Sequence, residues 1–167
     1  MYGLMPTLRG LLLTAVLACA PTLIAAQGAD VAFGGLKADT SLPVEVTADV
    51  LTVNQADGLA VFSGNVLVSQ GDMRLSAGEV RVEYSTDGKG IARLFASGGV
   101  TIAAGTDAAQ AGEAVYTIAT GEVIMTGNVI LTQGQAAISG EKLVINLTSG
   151  TGRMEGRVTT TFVPGGN

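Results

Sequence analysis

Four acidic residues, Asp49, Glu79, Glu113 and Glu141, recur at similar places in successive stretches of the chain, and their types could serve a ladder of metal ions or a carboxylate pair. A working pair would have to face one cleft with its carboxyls about 5 to 9.5 Å apart. Acids at strand entries also have a plainer role, because solvated charges keep sheet edges from pairing wrongly, and that is the preferred reading. The rest of the inventory narrows the chemistry. There is no histidine and the single cysteine is Cys19, which removes zinc sites, thiol catalysis and any Ser-His or Cys-His relay. Calcium repeats of the GGxGxD type are missing, since Gly98-Gly99 is followed by Val100-Thr101. Gly64, Gly98 and Gly127 lie between strand-like runs with no helix to follow, so they are expected as turn glycines rather than a phosphate cradle. No metal, no other cofactor and no enzyme are implied.

The elements that position these residues are repeated. The stretch 63–84, SGNVLVSQGDMRLSAGEVRVEY, returns twice. A shift of 34 residues lays Ser63, Gly64, Val66, Gly71, Gly78 and Glu79 on Ser97, Gly98, Val100, Gly105, Gly112 and Glu113. A shift of 63 lays Gly64, Asn65, Val66, Gln70, Gly71 and Ser76 on Gly127, Asn128, Val129, Gln133, Gly134 and Ser139. Half-units flank the copies: residues 46–53 resemble the later part of a unit and 155–162 its opening. Within each unit the period is two, as where Val80, Val82 and Tyr84 alternate with Arg81 and Glu83. Asp57-Gly58, Gly64-Asn65, Asp87-Gly88, Gly98-Gly99, Gly127-Asn128 and Ser149-Gly150 are expected as tight turns between a dozen or so short antiparallel strands.

Composition agrees with an all-β class. Of 167 residues 47% are hydrophobic but only 4% aromatic, and Gly, Ala, Val and Thr carry much of the content, which favours thin, tightly turned strands. Not one proline interrupts 44–163, whereas Pro43 and Pro164 bracket it, as a continuous ladder of N–H donors requires. Units that cover one another's apolar faces are expected to build an elongated sandwich or open roll with an edge strand at each end. The net charge is −5 with no basic cluster, so nucleic acid is not an expected partner.

Residues 1–26 carry one charge, Arg9, an apolar run over 11–18 and a small-residue end at Ala25-Ala26, the pattern of a secretory signal peptide cleaved before Gln27. A membrane anchor fits less well because Pro21 breaks the run short of the ~30 Å hydrocarbon core. Lipid attachment at Cys19 fits poorly beside Leu17. Residues 27–42 show no sustained period and are expected as a flexible N-terminal arm, with the folded domain over 43–163 and a short tail over 164–167.

Taken position by position, the stripes Val66, Val68, Leu75, Val80, Val82 and Val129, Leu131, Ile138, Leu143, Ile145 are ordinary core. The stretch 43–84 adds something more. Ala48-Asp49, Leu51, Val53, the run Ala60-Val61-Phe62-Ser63-Gly64-Asn65-Val66, Gln70-Gly71, Leu75, Ala77, Val82 and Tyr84 together resemble the periplasmic lipopolysaccharide-transport proteins of the OstA-like (LptA) family, with a looser likeness through about Phe162. The resemblance implies a β-jelly roll whose apolar groove, lined by those ten stripe residues, takes lipopolysaccharide acyl chains. It also implies end-to-end assembly with further copies or with jelly-roll domains of inner- and outer-membrane proteins, and the complementary half-units at the two ends of the domain put the edges at Val44, Val46, Val158, Thr160 and Phe162. The Ala-rich middle unit (Ala103, Ala104, Ala108, Ala109, Ala111) would thin one wall. Burying acyl chains at ~0.8 kcal/mol per CH₂ would outweigh repulsion between anionic lipid and anionic protein. Two rival expectations are a structural or adhesive β-solenoid with a sealed core, and a carbohydrate-active enzyme using paired acids.

Overall fold

A computed structural model describes residues 29–32, 35–54 and 56–162, with side chains from Gly35 onward. The signal sequence, the cleavage point at Gln27 and the tail over 164–167 lie outside the described residues. The chain runs β1 (Ala29–Ala32), β2 (Glu45–Thr47), β3 (Val50–Asn54), β4 (Leu59–Gln70), β5 (Met73–Tyr84), β6 (Ile91–Ser97), β7 (Val100–Ala104), β8 (Asp107–Ala111), β9 (Glu113–Thr117), β10 (Glu122–Gln133), β11 (Ala136–Asn146), β12 (Thr151–Glu155) and β13 (Thr159–Phe162), with one 3-10 turn at Ile118–Thr120. All pairings are antiparallel.

The four long strands serve two layers. The first half of β4 pairs with β3 and its second half with β2. In β5 the second half pairs with β6 and the first with β7. Likewise β10 divides between β9 and β8, and β11 between β12 and β13. One layer is therefore β3, β4, β5, β6, β9, β10, β11, β12, β1 and the other β2, β4, β5, β7, β8, β10, β11, β13. Each sequence repeat is one lap from the first layer to the second and back: β4–β5, then β6 to β9, then β10–β11. The half-units take matching places, β2–β3 as a closing half-lap and β12–β13 as an opening one.

Glycine marks the bends between layers, and one expectation is corrected there. Gly64-Asn65 and Gly127-Asn128 are not turns between short strands; they are bulges inside the 12-residue strands β4 and β10, where the register slips between Ser63 and Val66 and between Thr126 and Val129. All four residues have positive φ (78° and 47°, 87° and 51°). Such an insertion kinks a strand without ending it, which carries the chain from one layer into the other. At Gly78 and Gly98 the reason is proximity: a Cβ on Gly78 would stand 3.1 Å from the Gly98 carbonyl oxygen, and one on Gly98 3.2 Å from the Gly78 Cα. The bends of neighbouring laps thus stack backbone on backbone.

Alternation along each strand sends one set of side chains between the layers. From the first layer come Val80, Val82, Leu94, Tyr116, Val123, Met125, Leu143 and Ile145, and from the second Val66, Val68, Leu75, Val100, Ile102, Val129, Leu131 and Ile138, all within one continuous cluster. A second correction concerns residues 27–42. In place of a free arm, β1 pairs with β12, and Leu36 is fully buried in the same cluster. A lone leucine between glycine and lysine has no period to announce it.

Candidate functional site

The interior between the layers gathers the repeated apolar residues, and its walls follow from strand register. Opposed pairs share a face. In the first layer Leu51 lies opposite Phe62 and Phe62 opposite Val80, while Val53 lies opposite Ala60 and Ala60 opposite Val82. In the second, Val46 is opposite Val68, Val68 opposite Leu75, Leu131 opposite Ile138, and Ile138 opposite Thr160. Each wall is thus an unbroken run from the β2/β3 end of the molecule toward the other.

All ten stripe residues expected at a groove stand in this interior, between 0 and 7% exposed. The walls open at the ends. Leu51 and Val53, on the inner face of β3, are 53% and 59% exposed, and Phe162, opposite Ala136 on β13, is 73% exposed. Among the expected edge residues, Val44 and Val46 at one end and Val158 at the other are half-buried against the core, while Thr160 and Phe162 are exposed. Both β2 and β13 pair on one side only.

Two polar residues are buried among the described residues, Gln70 and Asp107, and sequence reasoning assigned neither a role. Tyr116 Oη donates to Gln70 Oε1 at 2.6 Å across the interior, and Gln70 Nε2 donates to the carbonyls of Thr40 and Leu42 at 3.0 and 2.9 Å. Burial pushes the Tyr116 phenol above its ordinary pKa, an effect the bond to Gln70 partly offsets. Asp107 accepts from the Gly35 amide at 3.2 Å, from Gln133 Nε2 at 2.9 Å and from Thr106 Oγ1 at 3.2 Å. Gln70 and Gln133 occupy equivalent places in the repeat, each followed by a turn glycine, and that recurrence was the available signal.

The four recurring acids are exposed. Asp49 accepts from Asn65 Nδ2 at 2.8 Å beside the first bulge. Glu79 and Glu113 precede the inward Val80 and Ala114, so they stand on the outer face of the first layer, where they rim a shallow recess with Arg81 and Phe95. They do not converge on the interior. Among the described residues no cluster of three or more acids, histidines or cysteines could hold a metal ion.

The chain is 26% identical over 138 residues to an uncharacterized protein of Rhizobium meliloti (strain 1021), covering 78% of this chain and 74% of that protein. Its fold is similar to the crystal structure of LptH from Pseudomonas aeruginosa, described as the LptA homologous periplasmic component of the lipopolysaccharide transport device, with a TM-score of 0.67 at 19% identity over 76% of this chain and 99% of that one. The two-layered roll is accordingly a β-jelly roll. Residues 45–151, which run from β2 into β12, match the family described as LptA/(LptD N-terminal domain) LPS transport protein. The chain belongs to that family of lipopolysaccharide transport proteins.

Proposed function

We propose that the protein is a periplasmic carrier that takes the acyl chains of lipopolysaccharide between its two layers and passes the lipid from the inner toward the outer membrane. The observation that carries this reading is the pair of largely apolar walls, Asp107 being the acid buried among the described residues, that run out to uncovered apolar side chains, Leu51 and Val53 at one end and Phe162 at the other. An interior that ends in exposed leucine, valine and phenylalanine on edge strands paired along one side invites continuation by another roll, since main-chain bonds extend the ladder and the apolar walls join. The occupants of these ends are further copies or jelly-roll domains of membrane-anchored transport proteins, in heterologous contacts that do not close. Family membership and the signal-like residues 1–26 support the compartment.

The near-complete burial of all ten stripe residues favours a second reading, a structural roll with a sealed core. A photoreactive residue at Ile138, 7% exposed, separates the two. Crosslinking to lipopolysaccharide in the folded protein supports the carrier; a residue that never crosslinks, in protein purified free of lipid, leaves the sealed core. Intact mass of exported protein tests the leader: cleavage before Gln27 is expected, and retention of 1–26 or lipid on Cys19 overturns it.

A further inference from the structure

The side of the roll opposite the glycine bends, where the turns of the two layers part, is crossed by residues 35–42. This strap touches both layers. Toward the first, the Ala38 amide donates to the Leu147 carbonyl at 3.0 Å, and Thr40 Oγ1 lies 3.4 Å from Thr148 Oγ1. Toward the second, Gly35 bonds Asp107, Leu42 packs on Gly71, and the carbonyls of Thr40 and Leu42 accept from Gln70. Its apolar anchor is Leu36, at 0% exposure. A strand built into the sheet would exchange a series of main-chain bonds with a neighbour. Among the described contacts, the strap makes one such bond to the rest of the roll, at Ala38, besides an internal one from Leu42 to Asp39; its other hydrogen bonds to the roll pass through side chains.

We propose that residues 35–42 are a latch over a lateral entry into the interior, through which an acyl chain passes when the latch lifts, with Gln70 as its catch. The catch is placed to respond to occupancy. Gln70 is buried on the inner wall, shares a hydrogen bond with Tyr116 from the opposite wall, and holds the strap by two carbonyls through one amide nitrogen. A chain that wedges between Tyr116 and Gln70 moves that amide and frees both carbonyls together. The anchor can be outcompeted, because a single leucine is set against many methylenes of an entering chain. Without such an opening the side is shut, since strap and turns cover it and the wall residues are buried.

The latch rests on the carrier reading, and the experiment keeps the two apart. In the full chain carrying Cys19→Ser, the pair Thr40→Cys and Thr148→Cys replaces hydroxyls already 3.4 Å apart, a spacing a disulfide can bridge. Binding of the fluorescent fatty acid cis-parinaric acid is measured with the disulfide formed and after reduction. The locked form should bind about tenfold more weakly or worse, with affinity restored by reductant, because the competent fraction has been removed. Equal affinity in both forms overturns the latch and leaves the carrier, with entry by the ends. Absence of binding in the wild type and in both forms overturns the carrier and the latch with it. A second readout needs no disulfide: Leu36→Cys should react slowly with iodoacetamide and about tenfold faster with the fatty acid present. An unchanged or slower rate on adding lipid counts against the latch.

Discussion

Tyr116, on β9 of one layer, and Gln70, at the end of β4 in the other, share a 2.6 Å hydrogen bond inside the apolar interior, 46 residues apart in the chain. It ties the two walls, and through the Gln70 amide it continues to the strap. Tyr116→Phe keeps the ring and removes the donor, leaving the Gln70 oxygen buried without its partner. The expected cost is about 1–3 kcal/mol, read as a lower urea midpoint at unchanged slope. A variant as stable as the wild type would mean that the tie contributes nothing.

The same tyrosine sets a pH dependence. Burial raises its folded pKa above the ordinary tyrosine value of 10.0, so the neutral phenol is favoured in the fold. The contribution is fully present below the unfolded pKa and is lost as pH rises through the folded one. The stability gap between wild type and Tyr116→Phe should stay constant from neutral pH to about 9 and narrow above 10. A gap that widens there contradicts the assignment.

At the second bulge Gly127 has φ 87° and Asn128 51°. Gly127→Ala puts a Cβ into a left-handed conformation at a cost of about 1–2 kcal/mol, whereas Asn128→Gly should be near neutral. Denaturant midpoints decide it, and equal effects would mean the bulge relaxes freely.

Gly78→Ala and Gly90→Ala form a matched pair. The first sets a methyl 3.1 Å from the Gly98 carbonyl oxygen, and the second meets nothing within 4 Å. Gly78→Ala should destabilise by about 1–3 kcal/mol as stacked bends are forced apart, and Gly90→Ala should be neutral or gain up to about 1 kcal/mol from a stiffer unfolded chain. Thermal unfolding of both, compared with wild type, tests the backbone contact directly.

The proposed end-to-end contact predicts rods that lengthen with concentration. In an antiparallel edge strand alternate N–H groups point to the neighbour or away from it. Of Thr160→Pro and Thr161→Pro, the one removing an outward donor should stop growth while keeping stability, and the other should loosen β13 from β11. Light scattering across a concentration series, with unfolding midpoints, sorts them. A monomeric wild type, or rods from both variants, shows that this edge is not the joint.

The residues show what was legible in the sequence and what was not. The inward set, from Val66 to Ile145, follows from period two and a proline-free span, because side-chain direction in a strand is a local property. The laps follow from glycines recurring at shifts of 34 and 63 residues. The meaning of Gly64-Asn65 was not local: positive φ suits a hairpin turn and a bulge equally, and the pairing of β4 with β5 on both sides of it selected the bulge. The pairings of Gln70 and Asp107 were beyond sequence reasoning for a related reason. Gln70 meets Tyr116 and the strap carbonyls, and Asp107 meets the Gly35 amide, at separations of 28 to 72 residues along the chain, and only the folded roll brings these groups within hydrogen-bonding distance.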